Sequence, residues 1–403
     1  MEPIKTETPS QAAPSSAVPS GAVPSSAAPS GAAPFAASAI LAAALLLPGV
    51  QAHAEAPPTN GVISIGYLDY KDSQSGLDRI HVKAPSVSVM APVAGVWSIS
   101  ASAVNDDVSG ATPRYHSAVS GASRMSDHRT AGDVAVKRYF DRGSLTVGAA
   151  YSSEDDYLSR AVSLSGTFES EDRNTTWSAG IGRANDEINP TNQIVRDERK
   201  HSTNLLLGVT QVLGKADVVQ VTLAHDIGKG YFNDPYKFPD NRPRSRDEST
   251  LLLRWNHYVE ATGGTSRTSY RYYRDSFGVR GHTLGQEFVQ PLADGWTVTP
   301  EVRLYTQRAA DFYFDPVYDQ ALGQPFPPGY SPSNFASADY RLSGFGAVTL
   351  GLKVSKQIDK DWSVDAKVSA YQQRGSWRAF GSGSPGLAPL RARTIQLAVN
   401  RTW

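Results

Sequence analysis

Apolar and polar side chains alternate along the last residues, Leu390 to Trp403. Ile395, Leu397, Val399, Arg401 and Trp403 share one parity, and Thr394, Gln396, Ala398, Asn400 and Thr402 share the other. A period of two with one apolar face predicts a β-strand. The same alternation recurs from Gly61 onward. It predicts strands near 61–70, 79–91, 95–105, 131–140, 143–153, 157–169, 174–186, 200–213, 217–227, 246–260, 265–277, 280–291, 295–308, 338–357, 361–375 and 390–403. In 361–375, for example, Trp362, Val364, Ala366, Val368 and Ala370 oppose Ser363, Asp365, Lys367, Ser369 and Tyr371.

Connections after even-numbered strands are short and rich in Gly, Asp, Asn and Pro, such as Asp141-Arg142, Ala293-Asp294 and Asp359-Lys360. These residues tolerate tight-turn dihedrals. The long connections, 106–130, 187–199, 228–245, 309–337 and 376–389, all follow odd strands. An even strand count with short turns on one side and long loops on the other is the pattern of an antiparallel up-and-down outer-membrane β-barrel. A sandwich has the same strand parity, so the aromatics are needed to choose. Trp97, Trp177, Trp296 and Trp362 each follow a short turn on the apolar parity, and Trp403 falls on the same side. That arrangement predicts an aromatic girdle at one membrane boundary. Tyr67, Tyr151, Tyr270 and Tyr272 form the expected second girdle. The parity change in 79–91 points to a bulge at Pro85.

Composition narrows the setting. The 403 residues contain 39 basic and 39 acidic side chains and no Cys. Zero net charge gives no footprint for nucleic acid, and the lack of thiols excludes disulfides and thiolate metal sites. Residues 14–34 are a Pro-Ser-Ala repeat, followed by the apolar stretch 35–47 and an Ala52-His53-Ala54 triplet. This order reads as a low-complexity segment and secretory signal over 1–54, cleaved between Ala54 and Glu55, then a linker over 55–60 and a barrel over 61–403. A short membrane anchor is the alternative.

The candidate chemistry lies inside. Arg254, Arg267, Arg271, Asp275, Glu301, Arg303, Lys353, Asp365 and Lys367 fall on the polar parity of neighbouring strands. They read either as a charged constriction that selects solutes or as a salt-bridge lattice that holds the barrel closed. Loops 228–245 and 309–337 carry aromatics with Asp-Pro turns, suited to an inward-folded plug, a self-packed lid or ligand capture. The pairs Asp106-Asp107, Asp155-Asp156 and Asp186-Glu187 offer oxygens for Ca²⁺ or for divalent bridging to lipopolysaccharide, but their spacing matches no calcium loop. His116-Ser117, His201-Ser202 and Ser126-Asp127-His128 are the only hydrolase-like groupings, without a nucleophile elbow or phosphate loop.

Several blocks carry a family resemblance: Gly66–Tyr70, Ala84–Ser86 through Gly95–Ser98, Val108–Ala111, Ser120–Asp127, Glu198–His201, Gly230–Arg246, Tyr270–Phe277 and Asp311–Tyr318. Together they resemble the domain-of-unknown-function family 3570 of Gram-negative envelopes. The resemblance implies an outer-membrane barrel and supplies no catalytic or binding residues. The expectation is therefore an exported barrel of about sixteen strands in the bacterial outer membrane, most simply a conduit for a small polar solute. A plugged structural or partner-binding barrel is the alternative, and an outer-membrane hydrolase a lesser one. No cofactor or nucleic acid is expected; the partners are outer-membrane lipid, lipopolysaccharide and, through the last strand, the barrel-assembly machinery.

Overall fold

The computed structural model describes residues 56–74, 77–111, 124–237, 239–315 and 330–403. The expected signal with Ala54 and Glu55, the His116-Ser117 pair and residues 316–329 of the longest loop lie outside that set. The strands are β1 (Val62–Gln74), β2 (Leu77–Val93), β3 (Trp97–Ala111), β4 (Arg124–Phe140), β5 (Gly143–Ser153), β6 (Tyr157–Glu169), β7 (Thr175–Ile188), β8 (Glu198–Val212) and β9 (Asp217–Gly230). They continue with β10 (Asp240–Asn241), β11 (Ser245–Val259), β12 (Gly264–Asp275), β13 (Arg280–Pro291), β14 (Trp296–Arg308), β15 (Ala336–Ser337), β16 (Phe345–Gln357), β17 (Trp362–Arg374) and β18 (Leu390–Thr402). Sixteen of them pair antiparallel with their chain neighbours into one closed barrel, sealed by β1 against β18, while β10 and β15 form a separate two-residue ribbon in the loops.

The alternation predicts fifteen of these strands to within a few residues, apart from longer reach into the loops at β1, β3 and β4. The sixteenth is shorter than expected. Residues 338–344 contain a buried 3-10 turn, Tyr340–Leu342, in place of the start of a strand, and β16 begins at Phe345. The bulge also sits elsewhere. Pro85 pairs in register with Tyr67, and the shift falls where Arg79 and Ile80 together oppose Asp72. Pro85 lacks an N–H and drops out of the ladder with β3 without displacing it. At the bulge both Arg79 and Ile80 turn inward, 2% and 4% exposed, and the Ile80 N–H donates to Asp72 Oδ1 at 3.1 Å.

One face of every strand is apolar and exposed: Ile65, Val147, Val162, Leu207, Leu223, Leu304, Leu350 and Leu397 all point away from the lumen. Such a continuous belt needs an apolar solvent around it. Trp97, Trp177, Trp296, Trp362 and Trp403 lie on this outer face beside the short turns, joined by Trp255, Phe140 and Phe168. Basic side chains stack on the girdle: Arg138 over Trp97, Lys356 over Trp296 and Arg401 over Trp362, at 5.2, 5.0 and 5.4 Å. The last contact accounts for Arg401, a cation on the apolar parity of β18. Its register partner is Trp362, which takes the charge on its ring face.

Candidate functional site

The interior has two unlike walls. From β3 to β8 most mid-barrel positions are small, among them Ser100, Ser102, Ala135, Gly148, Ser163, Ser165 and Gly180, with Asp133, Lys137 and Tyr139 on β4 as larger exceptions. From β11 to β17 the register brings the large polar residues to the same side. Arg271 faces Thr283 and then Tyr305, Ser269 faces Gly285 and then Arg303, and Arg267 faces Glu287 and then Glu301. All nine charges singled out from the sequence point inward. Five are held in ion pairs: Asp275 by Arg246 at 2.6 Å, Lys353 by Asp365 at 3.0 Å, and Lys367 by Glu301. Asp365 also accepts from Asn400 at 2.9 Å and Ser355 at 2.5 Å. Arg254 donates to Gln220 Oε1 at 3.2 Å. Arg267 and Arg271 have no hydrogen bond or ion pair among the described residues, and Arg271 lies near enough to Arg303 for their like charges to repel. The wall thus combines a lattice of ion pairs with a group of arginines in excess of the acids beside them.

Above this wall the external loops fold together across the mouth. The centre is a buried ion knot that sequence reasoning missed, since it joins residues about a hundred positions apart. Arg242 donates to Asp339 at 2.7 Å and to Asp240 at 3.0 Å; Arg341 donates to Asp234 at 2.6 Å and, through Nε, to Asp339 at 2.8 Å. Lys237 adds a bond to Asp234 at 2.8 Å. Asp339 is fully buried, as are Ser337 and Ser343. Three acids and three cations balance, which is the condition for burying them at all. Burial works against the Asp339 carboxylate, but Arg341, Lys237 and Arg242 outweigh it and hold its pKa well below the usual range. Asp234 is lowered on the same grounds, against burial, by Lys237 and Arg341. Asp240 is pushed up, by burial first and then by the neighbouring carboxylates of Asp339 and Asp234, despite Arg242.

The knot is anchored on both sides of the barrel. Toward the small-residue wall, the Tyr236 hydroxyl donates to Asp156 and accepts from the Thr191 N–H at 3.1 Å, while Asn192 donates to the Pro235 carbonyl at 2.9 Å. Burial and the Asp156 contact raise the Tyr236 hydroxyl to about 12. Toward the other side, Tyr340 packs with Phe345, Ala347 and Leu387 against Tyr305 and Tyr371 of the lumen wall. Arg79 caps this ring at 5.3 Å. Among the described residues none of the three Arg79 guanidinium nitrogens has a hydrogen-bond partner, and Asp72 lies 3.8 Å away.

Two of the three acidic pairs lie on strands, where alternation sends their members to opposite faces: Asp106 pairs with Arg129 and Asp107 with His128, Asp186 with Lys200 and Glu187 with Arg160. Asp155-Asp156 lies in the turn between β5 and β6, where Asp156 is taken up by Tyr236. No metal-holding group of three such side chains occurs among the described residues. Ser202 is buried inside while its neighbour His201 faces outward onto Asn185 at 2.7 Å, so the two do not form a dyad.

A bacterial polysaccharide outer-membrane secretin is similar in fold, with a TM-score of 0.50 at 9% identity over 85% of this chain and 97% of that one. CdiB from Acinetobacter baumannii gives 0.47 at 9% identity, over 83% of this chain and 60% of its own, and OccD3 (OpdP) from Pseudomonas aeruginosa 0.41 at 10%, over 87% and 93%. No curated protein sequence matches. The family model described as "Protein of unknown function (DUF3570)" matches residues 121–197 and 191–391, most of the barrel, although the resembling blocks between Gly66 and Ala111 fall outside the match. With its closed sixteen-stranded barrel and a match over this span, the chain belongs to the DUF3570 family.

Proposed function

We propose that the protein is an outer-membrane conduit for small polar solutes, anions by preference, whose outer mouth is closed by the loop knot. The observation that carries this reading is the arginine excess on the β12–β14 wall. Arg271 has no ion pair among the described residues, and Arg267 has no acid in ion-pair contact there, only Glu287 as its register neighbour. Guanidinium groups in a low-dielectric wall recruit carboxylates or phosphates by bidentate hydrogen bonding. The knot acts as the gate, because it is built from loops and its ion pairs bridge segments about a hundred residues apart only when closed. Export through a signal over residues 1–54, with a mature start near Glu55, and delivery by the assembly machinery belong to the same reading.

A permanently plugged barrel with a structural or partner-binding role is the second reading. It is favoured by the depth at which the knot is buried. Planar-bilayer recordings separate the two. A chain lacking residues 309–344 is expected to give step conductance with anion selectivity. Arg271→Gln with Arg303→Gln should move its reversal potential toward zero selectivity. A loop-deleted barrel that inserts and conducts nothing would rule out the conduit.

A further inference from the structure

Three arginines stand in a lateral row on the outside of the barrel. Arg274 on β12 is the register partner of Arg280 on β13, which is the register partner of Arg308 on β14. All three are exposed. Like charges directly opposite across a sheet repel, with Cβ atoms only ~5 Å apart, so the row is unfavourable unless an anion lies against it. Arg308 is met by Asp311 at 2.6 Å. Three carboxylates line the same cleft, but Asp275 is held by Arg246 and Asp311 by Arg308, and Arg274 and Arg280 have no ion pair or side-chain hydrogen bond among the described residues, Asp247 included.

The level of the row is informative. One step toward the apolar belt, Tyr272 and His282 pair, their rings 5.1 Å apart; one step further lie Leu284 and Leu304. The arginines therefore sit just outside the aromatic boundary, where lipid headgroups begin. A cleft of about 420 Å³ lies along Arg274, Arg280 and Arg308. A second of about 440 Å³, mostly apolar, shares His225, Ser249 and Arg274 with it and runs over Leu205, Leu207, Leu223 and Leu251. Beside the row, the loop after β17 drapes over the outer wall: Ala379 donates to Thr306 at 2.9 Å, and Phe380 rests on His282 at 5.3 Å. Phe380 is 82% exposed and held at φ 61, a conformation unfavourable for an aromatic side chain.

A charged cleft opening into an apolar groove at a membrane boundary has the shape of one amphiphile. We propose that this surface binds a phosphorylated glycolipid of the outer leaflet, phosphate on the arginine row and acyl chain in the leucine groove, with Phe380 inserted among the neighbouring chains. The inference rests on the outer-membrane placement proposed above, but it can fail alone, since its test is made in detergent and placement is read by cell fractionation.

The delipidated full-length barrel is incubated with bis-phosphorylated lipid A, with dephosphorylated lipid A, or with inorganic phosphate, and retention is read by native mass spectrometry. Wild type is expected to retain the phosphorylated lipid. The R274Q/R280Q/R308Q variant should bind it at least about tenfold more weakly, the loss of one charge-assisted hydrogen bond. Arg391→Gln with Arg393→Gln, outward on β18, serves as the control for general surface charge and should bind as wild type. In lipid-free detergent R274Q/R280Q, which keeps the Arg308–Asp311 pair, should melt no lower than wild type, and lipid A should raise the melting point of wild type but not of the triple variant. Equal affinity for dephosphorylated lipid A, an equal loss in the β18 control, unchanged retention by the triple variant, or full displacement by inorganic phosphate would each overturn the proposal.

Discussion

Asp339→Asn tests whether the ion knot is the latch of the plug. The change keeps the shape of the side chain and removes one charge from a fully buried position. Arg242 at 2.7 Å and Arg341 at 2.8 Å lose their common carboxylate, and Lys237, 4.0 Å away, loses part of its balance. What remains is three cations against Asp234 and Asp240, a net charge enclosed away from water. Removing one partner of a buried pair costs about 3–5 kcal/mol, and each ~1.4 kcal/mol is a factor of ten. Because the knot belongs to loops and the β-ladder makes no use of it, the whole penalty falls on the closed plug. The closed-to-open ratio should drop by roughly two to nearly four powers of ten. Trypsin reads this directly: cleavage after Lys237 and Arg341, shielded in wild type, should accelerate while the barrel keeps its heat-modifiable gel mobility. Arg341→Gln added to Asp339→Asn should recover part of the loss, as removal of both members leaves less charge uncompensated. If digestion at these sites is unchanged, or if the barrel itself melts instead of the loops, the latch assignment is wrong.

The knot also sets a pH response. Asp339 and Asp234 have depressed folded values, so their contribution is complete above the unfolded carboxylate value of ~4 and is lost only as pH falls through the depressed one. Asp240 is raised, so its contribution is largest in acid and declines as pH rises, and mild acid takes nothing from it. Bilayer conductance should therefore stay closed from pH 7 to about 5 and open only below about 4; opening at pH 6 would contradict the charge assignment. At the seam, the Gly61 N–H donates to the Trp403 carbonyl at 3.0 Å and the Trp403 N–H to the Gly61 carbonyl at 3.1 Å, and a side chain at position 61 would strike the indole. Gly61→Val should destabilise the folded barrel by about 1–3 kcal/mol in denaturant titration, and loss of Trp403 should lower the yield of inserted barrel. Undiminished yield and stability would remove Trp403 from the closing mechanism.

Strand parity made most of this barrel legible, because a β-strand in a membrane wall must alternate at every residue. Strands β5, β6 and β13 match their expected bounds residue for residue. The outward placement of the tryptophans beside the short turns was readable for the same reason, except for Trp255, four residues inside its strand end. Parity failed where local sequence does not decide. Residues 338–344 alternate like a strand but are captured by the knot, and Asp339 and Arg341 find their partners in a loop far away in sequence. The bulge at Arg79 was misplaced to Pro85 because a missing N–H and a register shift leave similar marks in sequence. The arginine row was invisible for another reason: each residue is unremarkable on its own strand, and only the register of three strands aligns them.

The seam also has a temporal meaning. Val62 pairs with Thr402, so the first strand made is completed by the last. Loop-closure entropy rises with separation, and contacts between distant residues form late. Until β18 arrives, β1 holds a full row of unpaired N–H and C=O groups, an open edge on which any extended chain can add. Every earlier hairpin can zip onto its predecessor; this pairing alone waits for the whole chain. Assembly therefore has its slowest and most exposed moment at one edge, and a short peptide copying β18 would compete for it.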